Sequence, residues 1–143
     1  MTPERDDLPP TGAAALEVFL RRRGCPDFVV DEGLDGLIER WARAVDAVET
    51  GYPLGLDDYL NDMDARQLIH DALPVAGRSI ARRVGPKLEV ADQRLRPLLR
   101  AAKHCLWGDG LAKRNGWSRE THWWYFEVPK KASDTLMGDL GSL

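Results

Sequence analysis

Hydrophobic residues recur at steps of three and four through most of the chain, which is the spacing of one face of an α-helix. The longest such stripe lies in residues 86–107 and comprises Leu88, Ala91, Leu95, Leu98, Leu99, Ala102 and Leu106. Pro97 interrupts it, and a proline inside a helix costs about 3 kcal/mol. Burying the leucines contributes roughly 7–15 kcal/mol as an upper bound. The pattern therefore predicts one long helix, kinked at Pro97.

The same spacing predicts further helices earlier in the chain. A first helix covers residues 11–23 and ends at Gly24, a residue type that favours the C-terminal cap of a helix. Residues 27–33 are interpreted as a connector. A second helix then covers residues 34–50, with Trp41 on its apolar stripe as a core residue.

The apolar phase slips in the middle of the next segment. Residues 64–67, DARQ, have the form of a capping box, so two short helices are predicted to meet near Asp64. Another helix is assigned to residues 75–84, with Pro74 at its first position and Gly85 after its end.

Beyond Trp107 the pattern changes from helical to extended. Residues 123–128, WWYFEV, form the clearest strand in the sequence, because aromatic and β-branched residues favour strands. Residues 111–114 are a weaker candidate for its partner strand, followed by a turn signal at Gly116. Ser133 is a candidate cap for a last short helical turn.

These elements predict a mainly α fold: a single-domain helical bundle of about five to six helices with a small C-terminal β-strand or hairpin. We divide the chain into a disordered tail at residues 1–10, a helical domain at residues 11–133 and a short C-terminal tail at residues 134–143. No apolar run approaches 18 residues and the N-terminus does not resemble a signal peptide, so no membrane association is expected.

The net charge of −3 conceals a polarised chain. Residues 1–72 contain 7 Lys/Arg and 16 Asp/Glu, whereas residues 73–143 contain 13 and 7. The asymmetry indicates either a charged partner or pairing of acidic helices with basic ones inside the molecule, and we favour internal pairing. The two cysteines, Cys25 and Cys105, are interpreted as free thiols of a cytoplasmic protein.

The candidates for chemistry are few. Asp58 and Asp62 lie one helical turn apart and could present carboxylates to Mg²⁺, which makes a metal-dependent hydrolase one alternative. The histidines His70, His104 and His122 lack the spacing of a zinc site. Since the chain also has no nucleophile, phosphate-loop or dinucleotide motif, we expect no cofactor and favour a binding protein over an enzyme.

The aromatic segment is the most informative feature for function. As a strand it would be apolar on both faces, so it is either buried between two layers or exposes one aromatic face to a partner. Cations flank it in the sequence. The predicted partner-binding residues are Trp117, Arg119, Trp123, Trp124, Tyr125, Phe126, Lys130 and Lys131.

The leading hypothesis is therefore a non-enzymatic protein-interaction module, for example an immunity-like or antitoxin-like inhibitor or an adaptor. Its protein partner is not identified by the sequence, and a homo-oligomer is an open alternative. Nucleic-acid binding through the basic stretch that begins at Arg78 and ends at Arg119 is a further alternative. The acidic half of the chain and a pI near 5.6 count against it.

Overall fold

The computed structural model describes residues 11–141, so the predicted tail at residues 1–10 lies outside the described residues. Within this range the chain forms a mainly α bundle with a two-stranded antiparallel sheet near its C-terminus, which confirms the predicted fold class. None of the described helices is long and apolar enough to cross a bilayer. The α-helices are α1 (Ala13–Arg22), α2 (Asp27–Glu49), α3 (Leu56–Ala76), α4 (Arg78–Leu95), α5 (Asp109–Asn115) and α6 (Asp134–Gly141). The strands are β1 (Leu99–Ala101) and β2 (Glu127–Pro129), and 3₁₀-helices cover Arg96–Leu98 and Trp123–Tyr125.

The segment before the second predicted helix is helical rather than a connector. Residues 27–33 form the start of α2, and the helix bends at Gly33, whose φ of 63° lies in the left-handed region. The bend lets Val29 and Val30 turn towards the core, where both are buried. The prediction of a connector was wrong for residues 27–32, which are helical, whereas the predicted start of a helix at Leu34 coincides with the kink at the non-helical Gly33.

The central helix of the bundle is α3. It contacts α1, α2, α4, α6 and the second 3₁₀-helix, so apolar residues are required on several of its sides. Its buried residues include Tyr59, Met63 and Ile69. The prediction of two short helices meeting near Asp64 was wrong, because the apparent slip in phase reflects burial around the helix and not a break in it.

Glycine and proline positions also differ from the prediction. Gly77, with a φ of 88°, separates α3 from α4, so Pro74 lies in the last turn of α3 rather than at the start of a helix. The helix α4 continues through Gly85 and Pro86. A proline frees the carbonyl four residues earlier, here that of the exposed Arg82, where water can hydrate it.

The long helix predicted for residues 86–107 does not form. The helix α4 ends at Leu95, and Pro97 lies in the 3₁₀-helix that follows. Proline removes one backbone donor, and its ring clashes with the carbonyl four residues earlier. The chain after Pro97 instead becomes β1, which pairs with β2 in the register Leu99↔Pro129, Arg100↔Val128 and Ala101↔Glu127.

The remaining elements belong to what we call the C-terminal unit, residues 96–141. The predicted strand shrinks to β2, and its partner is β1 rather than residues 111–114, which lie in α5. Gly116 adopts a left-handed conformation (φ 72°) and caps α5 instead of turning a hairpin.

The last helix is tied back to the bundle. The Oγ atom of Ser133 accepts a hydrogen bond from the backbone N–H of Leu136 (3.1 Å), as the predicted cap requires. Residues 134–141, assigned from the sequence to a short tail, form α6, in which Leu136 is completely buried. The Ser133 backbone N–H also donates to the carbonyl of Tyr52 (2.7 Å), in the turn between α2 and α3.

Candidate partner-binding site

The aromatic segment is sealed from solvent within one chain. The exposed fractions are 7% for Trp123, 1% for Trp124, 2% for Tyr125 and 8% for Phe126. Of the two alternatives that the sequence left open, the structure contains burial of the segment and not exposure of one aromatic face. A strand would point alternate rings in opposite directions, whereas the 3₁₀-helix Trp123–Tyr125 directs consecutive rings into the core.

The polar groups of these rings bind side chains of α3. Trp124 Nε1 donates to Gln67 Oε1 (3.1 Å), and the Tyr125 hydroxyl donates to Asp64 Oδ1 (2.6 Å). Burial, together with the Asp64 carboxylate, raises the pKa of Tyr125, so the phenol remains a donor. The residues predicted to form a capping box are thus acceptors for the aromatic segment.

A largely buried ion pair connects three helices beneath this segment. Arg66 donates to both carboxylate oxygens of Asp92, at 3.1 and 2.9 Å. Trp41 Nε1 donates to the same carboxylate (2.9 Å), and the guanidinium carbon of Arg66 lies 4.5 Å from the centre of the Trp124 ring. The network fixes α2, α3 and α4 relative to the C-terminal unit.

Two of the cations predicted to bind a partner instead donate hydrogen bonds to backbone carbonyls. Arg119 donates to Ala102 O (2.8 Å) and lies over the ring of Phe126, with its guanidinium carbon 5.4 Å from the ring centre. Lys130 Nζ donates to Pro97 O (3.0 Å). Both side chains therefore hold the C-terminal unit together.

The two other predicted residues, Trp117 and Lys131, are more accessible than the four buried rings of the aromatic segment. Trp117 is half-buried, stacked on Tyr125 with ring centres 4.5 Å apart, and Lys131 is exposed. The eight predicted residues consequently do not assemble into a single exposed surface.

A cleft of about 660 Å³ lies instead beside β1, β2 and the end of α6. Its polar and aromatic lining includes Arg100, Lys103, His104 and Trp107, and we call it the basic cleft. The Trp107 ring is 42% exposed, while its Nε1 donates to Asp64 Oδ1 (3.0 Å). The size falls within the usual range for ligand pockets.

Asp109 organises the loop that forms one wall of the basic cleft. One carboxylate oxygen accepts the Cys105 backbone N–H (3.1 Å), and the other lies 2.6 Å from His104 Nδ1. These two contacts lower the pKa of Asp109, which stays ionised. Burial raises the pKa of the Cys105 thiol, so this cysteine does not have the character of an activated nucleophile.

Sequence reasoning missed the basic cleft because it placed all four residues on the long helix. The signals that indicate otherwise are Pro97 before them and Gly108 after them, whose φ of 97° starts the turn into α5.

Both the bundle and the C-terminal unit contain ion pairs as well as cations that make none within the part of the chain that the structure describes. In the bundle, Arg83 pairs with Asp35 (2.8 Å) and Arg94 pairs with Asp46 (2.6 Å) and Glu49, as the hypothesis of internal pairing expects. Several cations of the C-terminal unit make no ion pair with any other residue of 11–141. They are Arg100, Lys103, Lys113, Arg114, Lys130 and Lys131.

Of the two aspartates considered as metal ligands, Asp58 and Asp62, Asp62 already accepts a hydrogen bond within the protein. Asp62 accepts the hydroxyl of Tyr52 (2.7 Å), and burial raises the pKa of its carboxyl, with a smaller contribution from Asp58. Among residues 11–141 no group of three or more histidine, cysteine or acidic side chains is arranged to hold a metal ion.

Two histidines that are distant in the sequence meet at the rim of the aromatic core. The rings of His70 and His122 are 4.9 Å apart, and both pack near Trp124. Burial and the neighbouring His70 lower the pKa of His122.

Comparison with known proteins adds no relative to this description. No protein-family model matches the chain, and no curated protein and no solved structure matches it.

Proposed function

We propose that the protein is a non-enzymatic interaction module that binds an acidic protein partner at the basic cleft. The contact surface is then the cleft wall with Arg100, Lys103 and Trp107, and the buried aromatic segment is its support. The observation that carries this proposal is the accessible tryptophan beside cations that have no acidic partner among residues 11–141. Exposed tryptophan and arginine are the residues most enriched where proteins bind one another.

Nucleic-acid binding is the weaker alternative. It was predicted for the stretch from Arg78 to Arg119, but Arg83 and Arg94 in this stretch pair with acidic residues of α2. With a net charge of −3, the rest of the molecule repels a nucleic acid along its whole row of phosphates, whereas a short acidic segment of a protein is repelled only locally.

Two finer statements belong to the same proposal. A cytoplasmic location is supported by the free thiols of Cys25 and Cys105. An inhibitor of the immunity or antitoxin type, or an adaptor, is a class compatible with a small domain that binds and does not catalyse.

The test is comparative affinity capture from the native source. The wild-type chain is compared with a variant carrying Arg100→Ala, Lys103→Ala and Trp107→Ala, and a control variant carries Lys113→Ala and Arg114→Ala. We expect one protein to be retained by the wild type and the control but lost with the triple variant. Its retention is also expected to weaken as salt rises, because charge pairs at a surface are screened.

A partner retained equally by all three baits would contradict the proposal. Binding of generic RNA or DNA that is lost only with the triple variant would replace it with the nucleic-acid alternative. Equal melting temperatures for the three chains are the control for folding.

A further inference from the structure

We infer that the basic cleft recognises a short peptide segment in which an acidic side chain lies next to an apolar one. This inference rests on the proposed function and adds the chemistry of the partner. It follows from two kinds of lining, from the orientation of His104 and from the position of Trp107.

The lining divides into an apolar part and a cationic part. Leu106, Val128 and Leu140 line the apolar part, in which Leu140 is partly exposed and the buried Leu106 and Val128 lie beneath it. Arg100 and Lys103 are exposed in the same cleft. Apolar surface beside convergent charged groups is typical of a site that binds one end of a ligand by burial and the other by ion pairing.

The single acidic side chain in the lining does not cancel the cations. Asp109 is already engaged by the Cys105 N–H and by His104 Nδ1, so its carboxylate is turned to the loop. Because Nδ1 of His104 is held in this way, its Nε2 is the ring nitrogen left to contact a ligand. Arg100 and Lys103 thus favour an anion, and Nε2 of His104 is a further polar contact beside them.

A carboxylate fits this cleft better than a phosphate. A nucleic acid would present a row of phosphates, whereas the cationic part of the cleft is one local group beside apolar side chains. An acidic segment of a protein supplies both a carboxylate and an apolar neighbour.

Trp107 provides a local signal for the test. Its ring is exposed in the cleft, whereas Trp41, Trp123 and Trp124 are buried and Trp117 is half-buried. The indole N–H resonance of Trp107 can be identified in an NMR spectrum of the ¹⁵N-labelled protein by its loss in Trp107→Phe.

The experiment titrates the full chain with the peptide Leu-Glu-Leu-Glu, acetylated at its N-terminus and amidated at its C-terminus, and with its neutral match Leu-Gln-Leu-Gln, which is capped in the same way. We expect the acidic peptide to shift the Trp107 signal and to bind about tenfold more tightly than the neutral one, since charge-assisted hydrogen bonds are lost with glutamine. Arg100→Ala with Lys103→Ala should weaken binding by about tenfold or more, and Lys113→Ala with Arg114→Ala by less than about twofold.

Equal affinity for the two peptides would overturn the inference, as would tighter binding of inorganic phosphate or of a short RNA. These failures are distinct from failure of the proposed function. If the peptides do not bind but the triple variant still loses the native partner, the cleft is the contact site and the assigned ligand chemistry is wrong. If the triple variant keeps the partner, the proposed function itself is wrong.

Discussion

The helical bundle and the C-terminal unit are stabilised in different ways. In the bundle, long helices bury apolar stripes and place ion pairs such as Arg83–Asp35 at their exposed edges. In the C-terminal unit each strand has only three residues, and the buried rings of the aromatic segment supply most of the packing. Aromatic side chains bury large areas and their polar atoms require partners, so they can fix a unit that has little regular structure.

This difference teaches that an aromatic-rich segment is not by itself a binding surface. Trp124 and Tyr125 each bury a ring and satisfy its polar atom on α3. The exposed ring of Trp107 lies outside the aromatic run and beside cations. The proposed function therefore assigns partner binding to Trp107 and packing to other tryptophans.

The largest expected effect comes from removing an aromatic support. Trp124→Ala should lower the free energy of unfolding by about 3–5 kcal/mol, because it removes a large buried ring and leaves a cavity. Trp107→Ala, at an exposed ring, should change it by less than about 1 kcal/mol. Urea denaturation of both variants measures this contrast, and similar losses would show that the two rings do not differ in role.

A somewhat smaller effect is expected at the junction of the two regions. Asp92→Leu should cost about 3 kcal/mol, because it leaves the Arg66 guanidinium buried without its carboxylate. Adding Arg66→Met should recover part of this loss, since an apolar pair can replace a buried ion pair. The same denaturation measurement decides the point, and a double variant less stable than Asp92→Leu would contradict it.

The smallest expected effect is a dependence of the protein's stability on pH, through His122 at the edge of the aromatic core. The pKa of His122 is lowered in the folded protein by burial and by His70, while the nearby Asp71 acts in the opposite direction. The unfolded chain therefore binds a proton at a higher pH than the folded one. Stability from His122 is present above its ordinary pKa of about 6.5 and is lost as the pH falls below it.

We expect the melting temperature to fall by about 1–3 °C between pH 7 and pH 5 through this group. His122→Gln should remove that part of the fall, and His104→Gln, at an exposed histidine, should leave it unchanged. An identical pH profile for the wild type and His122→Gln would exclude the mechanism.

The sequence predicted the fold class well because the bundle is periodic. The stripe around Trp41 and the stop at Gly24 depend only on nearby residues, and the structure contains both. The predictions that were wrong concern segments whose structure depends on contacts with distant parts of the chain. The apolar phase slips near Asp64 because α3 is packed on several sides, and the helix after Pro97 is replaced by a strand whose partner lies far along the chain.

The candidate site was less predictable for a related reason. The sequence cannot show that Arg119 binds the backbone carbonyl of Ala102, or that Trp124 turns inward in a 3₁₀-helix. Both facts depend on contacts between distant segments. Arg100 and Lys103 had been assigned to the polar face of a helix, and only the ending of that helix at Leu95 brings them to the wall of a cleft.

One oxygen atom joins the cleft to the interior. Asp64 Oδ1 accepts both the indole N–H of the exposed Trp107 and the hydroxyl of the buried Tyr125. A ligand that rotates the Trp107 ring must break the first of these bonds, and the acceptor is then left to Tyr125 alone. A ligand in the proposed site would in this way change the hydrogen bonding of a carboxylate on the central helix α3.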